Sequence, residues 1–131
     1  MRKEFKLNTP KEGMIAITRE VASYVDSLGV EEGIVVVYSP HTTAGITINE
    51  NGDRDVVHDL LLAMGEIFPD DKRFRHMEGN SAAHLKSSMV GSSATVIITK
   101  GRLDLGVWQD IYFCEFDGPR SRRFLVKVIS G

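Results

Sequence analysis

The stretch Gly33-Ile34-Val35-Val36-Val37-Tyr38-Ser39-Pro40-His41-Thr42-Thr43-Ala44-Gly45-Ile46-Thr47-Ile48-Asn49 decides the fold. Residues 34–38 are apolar on both faces of an extended chain, the pattern of a central strand covered on both sides. Pro40 has no backbone N–H to give a ladder, so the strand ends there. Strand alternation resumes at Ile46-Thr47-Ile48-Asn49. Between the two strands lies Ser39-Pro40-His41-Thr42-Thr43, a loop that carries a histidine between two well-marked elements.

Working outward, residues 2–7 alternate in polarity, and their lysines mark an edge strand. Met14 to Ile17 is a short strand, and Thr18 is placed to cap a helix from Arg19 to Leu28. Val21, Tyr24, Val25 and Leu28 repeat at helical spacing, with Gly29 as the stop. A second helix carries the stripe Val57, Leu60, Leu61, Met64 and is expected to end at Gly65. A third, short helix runs from an Asn80 cap to Gly91. Thr95 to Thr99 is a strand, Lys100-Gly101-Arg102 a tight connection, and Leu103 to Asp117 a long strand with a bulge expected at Gly106. Gly118-Pro119 breaks it, and Phe124 to Ile129 is the last strand. Strands and helices do not alternate regularly. The expectation is therefore a single α+β domain over residues 1–131, a mostly antiparallel sheet core with about three helices packed to one side.

The 131 residues carry 16 basic and 18 acidic side chains, a net charge of -2, which argues against a general nucleic-acid binder. One cysteine, Cys114, cannot form a bridge within the chain, so a disulfide scaffold is excluded. No apolar run follows Met1-Arg2-Lys3-Glu4-Phe5, and the runs elsewhere, residues 34–37 among them, are far too short to span a bilayer. The expected setting is the cytoplasm, with neither membrane nor nucleic acid as partner.

Four histidines stand at 41, 58, 76 and 84. Neutral imidazole is the commonest protein ligand for metals. On one continuous helix His76 and His84 would be separated by roughly 12 Å of rise. A shared ion therefore requires His76 to lie outside the helix, with Met77-Glu78-Gly79-Asn80 turning the chain back. His58, beside its helix's apolar stripe and next to Asp59, reads as a solvated surface residue. Asn49-Glu50-Asn51-Gly52-Asp53 gathers polar groups at a strand end. Turn and cap chemistry explains Asn51 to Asp53, whereas Glu50 is left for a general base or a metal ligand. Asp117-Gly118-Pro119-Arg120-Ser121-Arg122-Arg123 is either a phosphate-holding arginine cluster or a charge-balanced surface turn. Alternation puts Gln109, Ile111, Phe113, Glu115 and Asp117 on one strand face, with Trp108 and Cys114 on the other. Cys114 reads as a packing residue.

The segments from Ser39 through Asn51, from His76 through Ser88, and Lys100 through Ile111 followed by Glu115-Phe116-Asp117-Gly118-Pro119-Arg120 resemble the YjbQ-like family. The resemblance covers nearly the whole chain. It implies an α+β fold that assembles as a homotrimer, a histidine-rich site and a weak, secondary thiamine-phosphate synthase activity. Such an enzyme joins a pyrimidine methyl diphosphate to a thiazole phosphate. His41, His76 and His84 match the positions expected to hold a divalent metal, and Glu50 the position of a catalytic base. Asn49, Lys86, Gln109, Arg120 and Arg123 are the candidates for holding a small phosphorylated metabolite. Three imidazoles favour zinc, while a diphosphate substrate would favour magnesium. The alternatives are a non-catalytic metal- or metabolite-binding module and a metal-dependent phosphate-ester hydrolase.

Overall fold

A computed structural model describes all 131 residues. The strands divide between two antiparallel sheets, where the sequence suggested one. The larger is built from β1 (Arg2–Asn8), β8 (Ser121–Ser130), β3 (Glu32–Tyr38), β5 (Ser93–Thr99) and β6 (Arg102–Leu103), in that order. The smaller has β2 (Gly13–Ala16), β7 (Gln109–Glu115) and β4 (Ala44–Glu50), with β7 in the middle. β3 lies between β8 and β5, the central place its apolar run demands, and β1 is an edge strand paired only with β8.

The larger sheet packs its inner face onto the smaller one. Val35 and Val37 of β3, Val96 and Ile98 of β5, and Phe124, Val126 and Val128 of β8 meet Ile46 of β4 and Ile111 and Phe113 of β7. Helix α1 (Thr18–Leu28) adds Val21 and Val25 to this core. The other face of the smaller sheet is covered separately. Tyr112, Cys114 and Phe116 pack there against Ala83 and Val90 of α3 (Ser81–Val90) and against Val57, Leu61 and Met64 of α2 (Arg54–Ile67). The α+β class is as expected, but the helices do not share one side: α1 joins the main core while α2 and α3 lie behind the smaller sheet. Cys114 is a buried packing residue, and burial pushes its thiol up to about 12.

β3 is not covered on both faces. Ile34, Val36 and Tyr38 point outward, and Ile34 stands in register between Ile97 and Ile129, both substantially exposed. The long strand expected from Leu103 to Asp117 is broken. After β6 the chain turns through residues 104–108, and the Gly106 N–H donates to the Gln109 side chain at 2.8 Å. The connection before it is tight as expected, with Lys100 and Gly101 both at positive φ, the two-residue hairpin geometry.

Two helix boundaries also differ, and a third cap stands where expected but lacks its side-chain bond. Ile17 occupies the N-cap position of α1, and the Thr18 hydroxyl instead donates to Asp110 and accepts the Ile111 N–H at 2.8 Å. Thr18 thus ties the helix to β7 rather than capping it. Gly65 does not end α2, which continues to Ile67, because nothing there requires a left-handed residue. Asn80 stands at the N-cap of α3, yet its side chain makes no capping bond.

Candidate functional site

Helix α3 is fixed against β4 at short range. A Cβ on Gly45 would lie 2.6 Å from the Gly91 carbonyl, so only glycine admits this approach. The Ile46 N–H donates to the Gly91 carbonyl at 3.0 Å, and the Ser87 hydroxyl donates to the Ala44 carbonyl at 2.8 Å. These bonds pin the last turn of α3 to β4, and His84, one turn before Ser87, shares a cavity wall with His41.

The Met77-to-Asn80 turn does what a shared site requires. Gly79 takes φ 78°, its N–H donates to the His76 carbonyl at 3.1 Å, and the chain folds back on the helix. The His76 and His84 rings come to 5.3 Å between centroids, edge to face. His41 joins them on the wall of one cavity of about 350 Å³, with Thr42, Thr43, Glu78, Asn80, Arg120 and Arg122. No three His, Cys, Asp or Glu side chains are yet gathered as a ligand set. The His41 Nε2 is held by Arg123, lying 3.0 Å from its backbone N–H and 3.1 Å from its carbonyl. Which of the two it bonds depends on the tautomer. Burial, reinforced by the nearby Arg122 charge, lowers the His41 pKa and favours the neutral ring that a metal needs.

The cavity's charges are held by one network. Arg122 and Glu115 form an ion pair buried on both sides, with Nε to Oε1 at 2.7 Å and Nη2 to Oε2 at 2.5 Å. The Thr9 hydroxyl and the Asp117 N–H also donate to Glu115, at 2.5 and 2.9 Å. Burial pushes the Glu115 carboxyl up, but these donors outweigh it and leave it below its ordinary value. Asp117 accepts from Asn80 Nδ2 and Arg120 Nη2, both at 2.8 Å. Arg120 also reaches Glu78 at 3.4 Å. Asn80 Oδ1 is buried and has no hydrogen-bond partner.

The remaining candidates lie elsewhere. Glu50 pairs in register with Gln109, whereas Ala44, next to the cavity, pairs with Glu115 at the other end of the same ladder. Glu50 is therefore the length of β4 away from Ala44, roughly 20 Å at ordinary strand rise. Its carboxylate accepts the Gly52 N–H at 2.8 Å, a local task the sequence did not suggest. Asn49 accepts the Glu50 N–H at 2.7 Å. Lys86 is buried and paired with Glu12 at 3.3 Å, and Arg123 pairs with Glu4 at 2.7 Å. Neither lines the histidine cavity. His58 is exposed beside Asp59, as expected of a surface histidine.

A second cavity, about 540 Å³, opens among Ala16, Thr18, Arg19, Glu20 and Asp110. Burial holds the Asp110 carboxyl above its usual range, with the Glu20 charge adding to the effect. Of the three arginines in the cluster, the sequence reading assigned Arg120 and Arg123 and left out Arg122, which lines the cavity together with Thr42, Thr43, Glu78 and Asn80. A signal was there: Arg122 is in strand phase with Phe124, Val126 and Val128, all buried on the inner face of β8.

Two stacked antiparallel sheets, with a histidine-walled polar cavity where an edge loop meets the start of a helix, define the class of protein. The chain belongs to the YjbQ-like UPF0047 family, whose profile matches residues 3–131. It is 53% identical over 131 residues to the UPF0047 protein YugU of Bacillus subtilis, covering 98% of this chain and 99% of that one. It is 50% identical over 127 residues to the UPF0047 protein MJ1081 of Methanocaldococcus jannaschii, covering 96% and 92%. The crystal structure of a family protein from Clostridium acetobutylicum, described as uncharacterized, superposes with a TM-score of 0.94 at 52% identity. That match covers 97% of this chain and 99% of that one. No helix is long and apolar enough to cross a membrane.

Proposed function

We propose that this chain is a metal-dependent enzyme that takes a small phosphorylated metabolite into the cavity of His41, His76 and His84. The observation that carries this is the His76–His84 pair, brought together by the turn at Gly79 on the wall of a mainly polar cavity. What supports a divalent ion is the chemistry of the donors, although His41 must leave the Arg123 backbone to complete a set of three. Two imidazoles at this separation suit bonds of about 2.1 Å to one centre, and His41 is the third on the same wall. Three nitrogens favour zinc. When bound, such an ion supplies Lewis acidity and lowers the pKa of a bound water.

The reaction that the family resemblance suggests is a thiamine-phosphate synthase reaction, at a low, secondary level. The thiazole nitrogen forms a bond to the methylene carbon of the pyrimidine, the carbon–oxygen bond to the diphosphate breaks, and pyrophosphate leaves. In this reading the chain's part is to orient the two heterocycles and to hold phosphoryl oxygens, with Arg120 on the wall. Phosphate-ester hydrolysis is the second reading, favoured by the imidazole-rich donor set over the oxygen ligands that magnesium takes.

The test is metal analysis of purified protein together with release of pyrophosphate or phosphate. One divalent ion per chain is expected in the wild type and none in His84→Ala. A metal-free wild-type protein that cannot be loaded would overturn the reading. Turnover separates an enzyme from a binding module: loaded protein that turns over neither substrate is a module.

The assembly we infer is a homotrimer in the cytoplasm. Supporting it are the outward apolar row of Ile97, Ile34 and Ile129 on the larger sheet and an unbridged cysteine. Light scattering should give three times the 14.6 kDa chain mass, and Ile97→Lys should reduce it to one. A monomeric wild type at micromolar concentration would refute it.

A further inference from the structure

The cavity contains a buried, rigidly held cation whose bonding capacity the protein leaves partly unused. Three of the five Arg122 N–H donors are committed: Nε and one Nη2 hydrogen to Glu115, and the other Nη2 hydrogen to the Thr43 hydroxyl at 2.8 Å. Nη1 makes no hydrogen bond within the protein; the side chain is only 6% exposed, but Nη1 itself is not sealed from solvent, since Asn80 Oδ1 is the one buried side-chain polar atom without a partner. Arg122 nonetheless stays rigid, because Glu115 grips it in a bidentate pair and Glu115 is itself held by Thr9 and the Asp117 N–H. The guanidinium thus presents two fixed donors on a wall shared with the histidines.

Three further features belong to the same wall. Asn80 turns its amide nitrogen to Glu78 and Asp117, leaving the N-terminus of the ten-residue helix α3 without a side-chain cap. Its first-turn N–H groups and dipole favour negative charge. Arg120, by contrast, is half exposed and shared between two carboxylates, and Arg123 lies off the cavity. The local charge is also informative: Arg120 and Arg122 stand against Glu78, Asp117 and Glu115. These side chains therefore sum to one negative charge, and a divalent cation reverses the sign.

We propose that Arg122 is the anion-binding residue of this site, taking a phosphoryl dianion through Nη1, and that this binding strengthens once a cation is bound at the histidines. The second clause rests on the metal reading above; the first does not. The ligand class is a phosphate monoester or free phosphate, and the two share the same three-oxygen face. A guanidinium fork suits that face, whereas a lysine ammonium is a single point charge.

The experiment uses the whole protein, with and without added Zn²⁺, titrated calorimetrically with glycerol phosphate, inorganic phosphate and acetate. Arg122→Lys keeps a positive charge against Glu115, and its thermal midpoint and circular dichroism establish that it folds. In the loaded wild type, phosphate or its monoester should bind at least about tenfold more tightly than in folded Arg122→Lys, and more tightly than in metal-free protein. The tighter of the two ligands identifies the source. Side-chain ¹⁵N signals of Arg122 in the wild type give a reading independent of any variant, and they should move on saturation with phosphate. Unchanged phosphate affinity in folded Arg122→Lys, or Arg122 signals that stay still at saturation, overturns the assignment. So does acetate binding as well as phosphate. Metal stoichiometry measured without phosphate reports separately on the histidines, so its failure leaves the Arg122 comparison decisive by itself.

Discussion

The two ends of the β4–β7 ladder use the same kind of residue for opposite purposes. At the Ala44–Glu115 end, a fully buried carboxylate is tied to a buried arginine, and the charges hold three separated segments together: Thr9, Thr43 and Arg122. At the Glu50–Gln109 end the polar groups serve the turns beside them. Glu50 accepts from Gly52, Asn49 from Glu50, Gln109 from Gly106, and Asn51 donates to the Gln109 carbonyl. A run of polar side chains in sequence looks alike in both cases. What separates them is charge and reach: a buried ion pair bridging distant segments orders a cavity, whereas the other end is neutral across the ladder, where Asn51 meets Gln109, and its remaining bonds span one to three residues and order a turn.

The sharpest way to break this contrast is to remove one member at each end. Arg122→Ala leaves Glu115 as an uncompensated buried charge, which should cost about 3–5 kcal/mol of stability in urea unfolding. Gln109→Ala removes one exposed hydrogen bond and should cost about 1 kcal/mol or less. Equal losses would mean that the two ends are not built differently.

Acid should find the same end first. Glu115 and Asp117 both have depressed values in the folded protein, after their hydrogen bonds outweigh burial. The unfolded chain therefore takes up protons before the folded one does. Their contribution is fully present above the ordinary carboxylate value, 4.5 for Glu115, and is lost as pH falls through the folded values. Urea midpoints measured from pH 7 down to pH 3 should fall steeply below pH 4.5, and Glu115→Gln, compared with its own value at pH 7, should flatten the curve. A Glu115→Gln profile as steep as the wild type would place the loss elsewhere.

Much of the fold was legible because apolar periodicity reports burial directly. β3, α1 and β8 follow from Val35 and Val37, Val21 and Val25, and Phe124, Val126 and Val128. The division into two sheets was not, because β7 buries both of its faces and carries no alternation to say that two cores meet there. Of the site, the return of His76 to His84 was foreseeable from Gly79, since rise along a helix excludes the alternative. Arg122 was not singled out, because three arginines beside a Gly-Pro turn look like a solvated run. Only its phase with the inward residues of β8 distinguishes it. Glu50 was singled out for lack of a visible task, and its task is a bond to a backbone N–H two residues away.

A milder probe acts at the Glu50 end alone. Trp108 lies over Gly52, where a Cβ would fall 2.6 Å from its ring. Gly52→Ala must displace the ring, and Trp108 is the chain's single tryptophan, so its emission should shift. The cost should stay near 1 kcal/mol, because the ring is largely exposed and free to move. Histidine resonances of the cavity should not change. If they do, the two ends communicate within one chain.

The last test asks whether the Glu50 end serves a cavity at all. A general base must come within hydrogen-bond reach of the proton it takes, about 2.6–3.2 Å. Glu50 lies roughly a strand length, some 20 Å, from Ala44 beside the cavity of its own chain, so it cannot act there. If the trimer proposed above brings a neighbouring copy's cavity to this end, where Val107 and Trp108 are exposed, Glu50 can serve that cavity. Glu50→Gln and His84→Ala would then each be inactive alone, the first by about two to four orders of magnitude, the general-base contribution. Mixed and allowed to exchange subunits, they should regain a minor fraction of activity, because some interfaces pair an intact Glu50 with an intact His84. Unmixed controls, and a mixture of Glu50→Gln with itself, should regain none. If the mixed protein stays inactive while subunit exchange is demonstrated, or if Glu50→Gln keeps full turnover, Glu50 is a turn residue only. The chemistry would then belong entirely to the Ala44–Glu115 end.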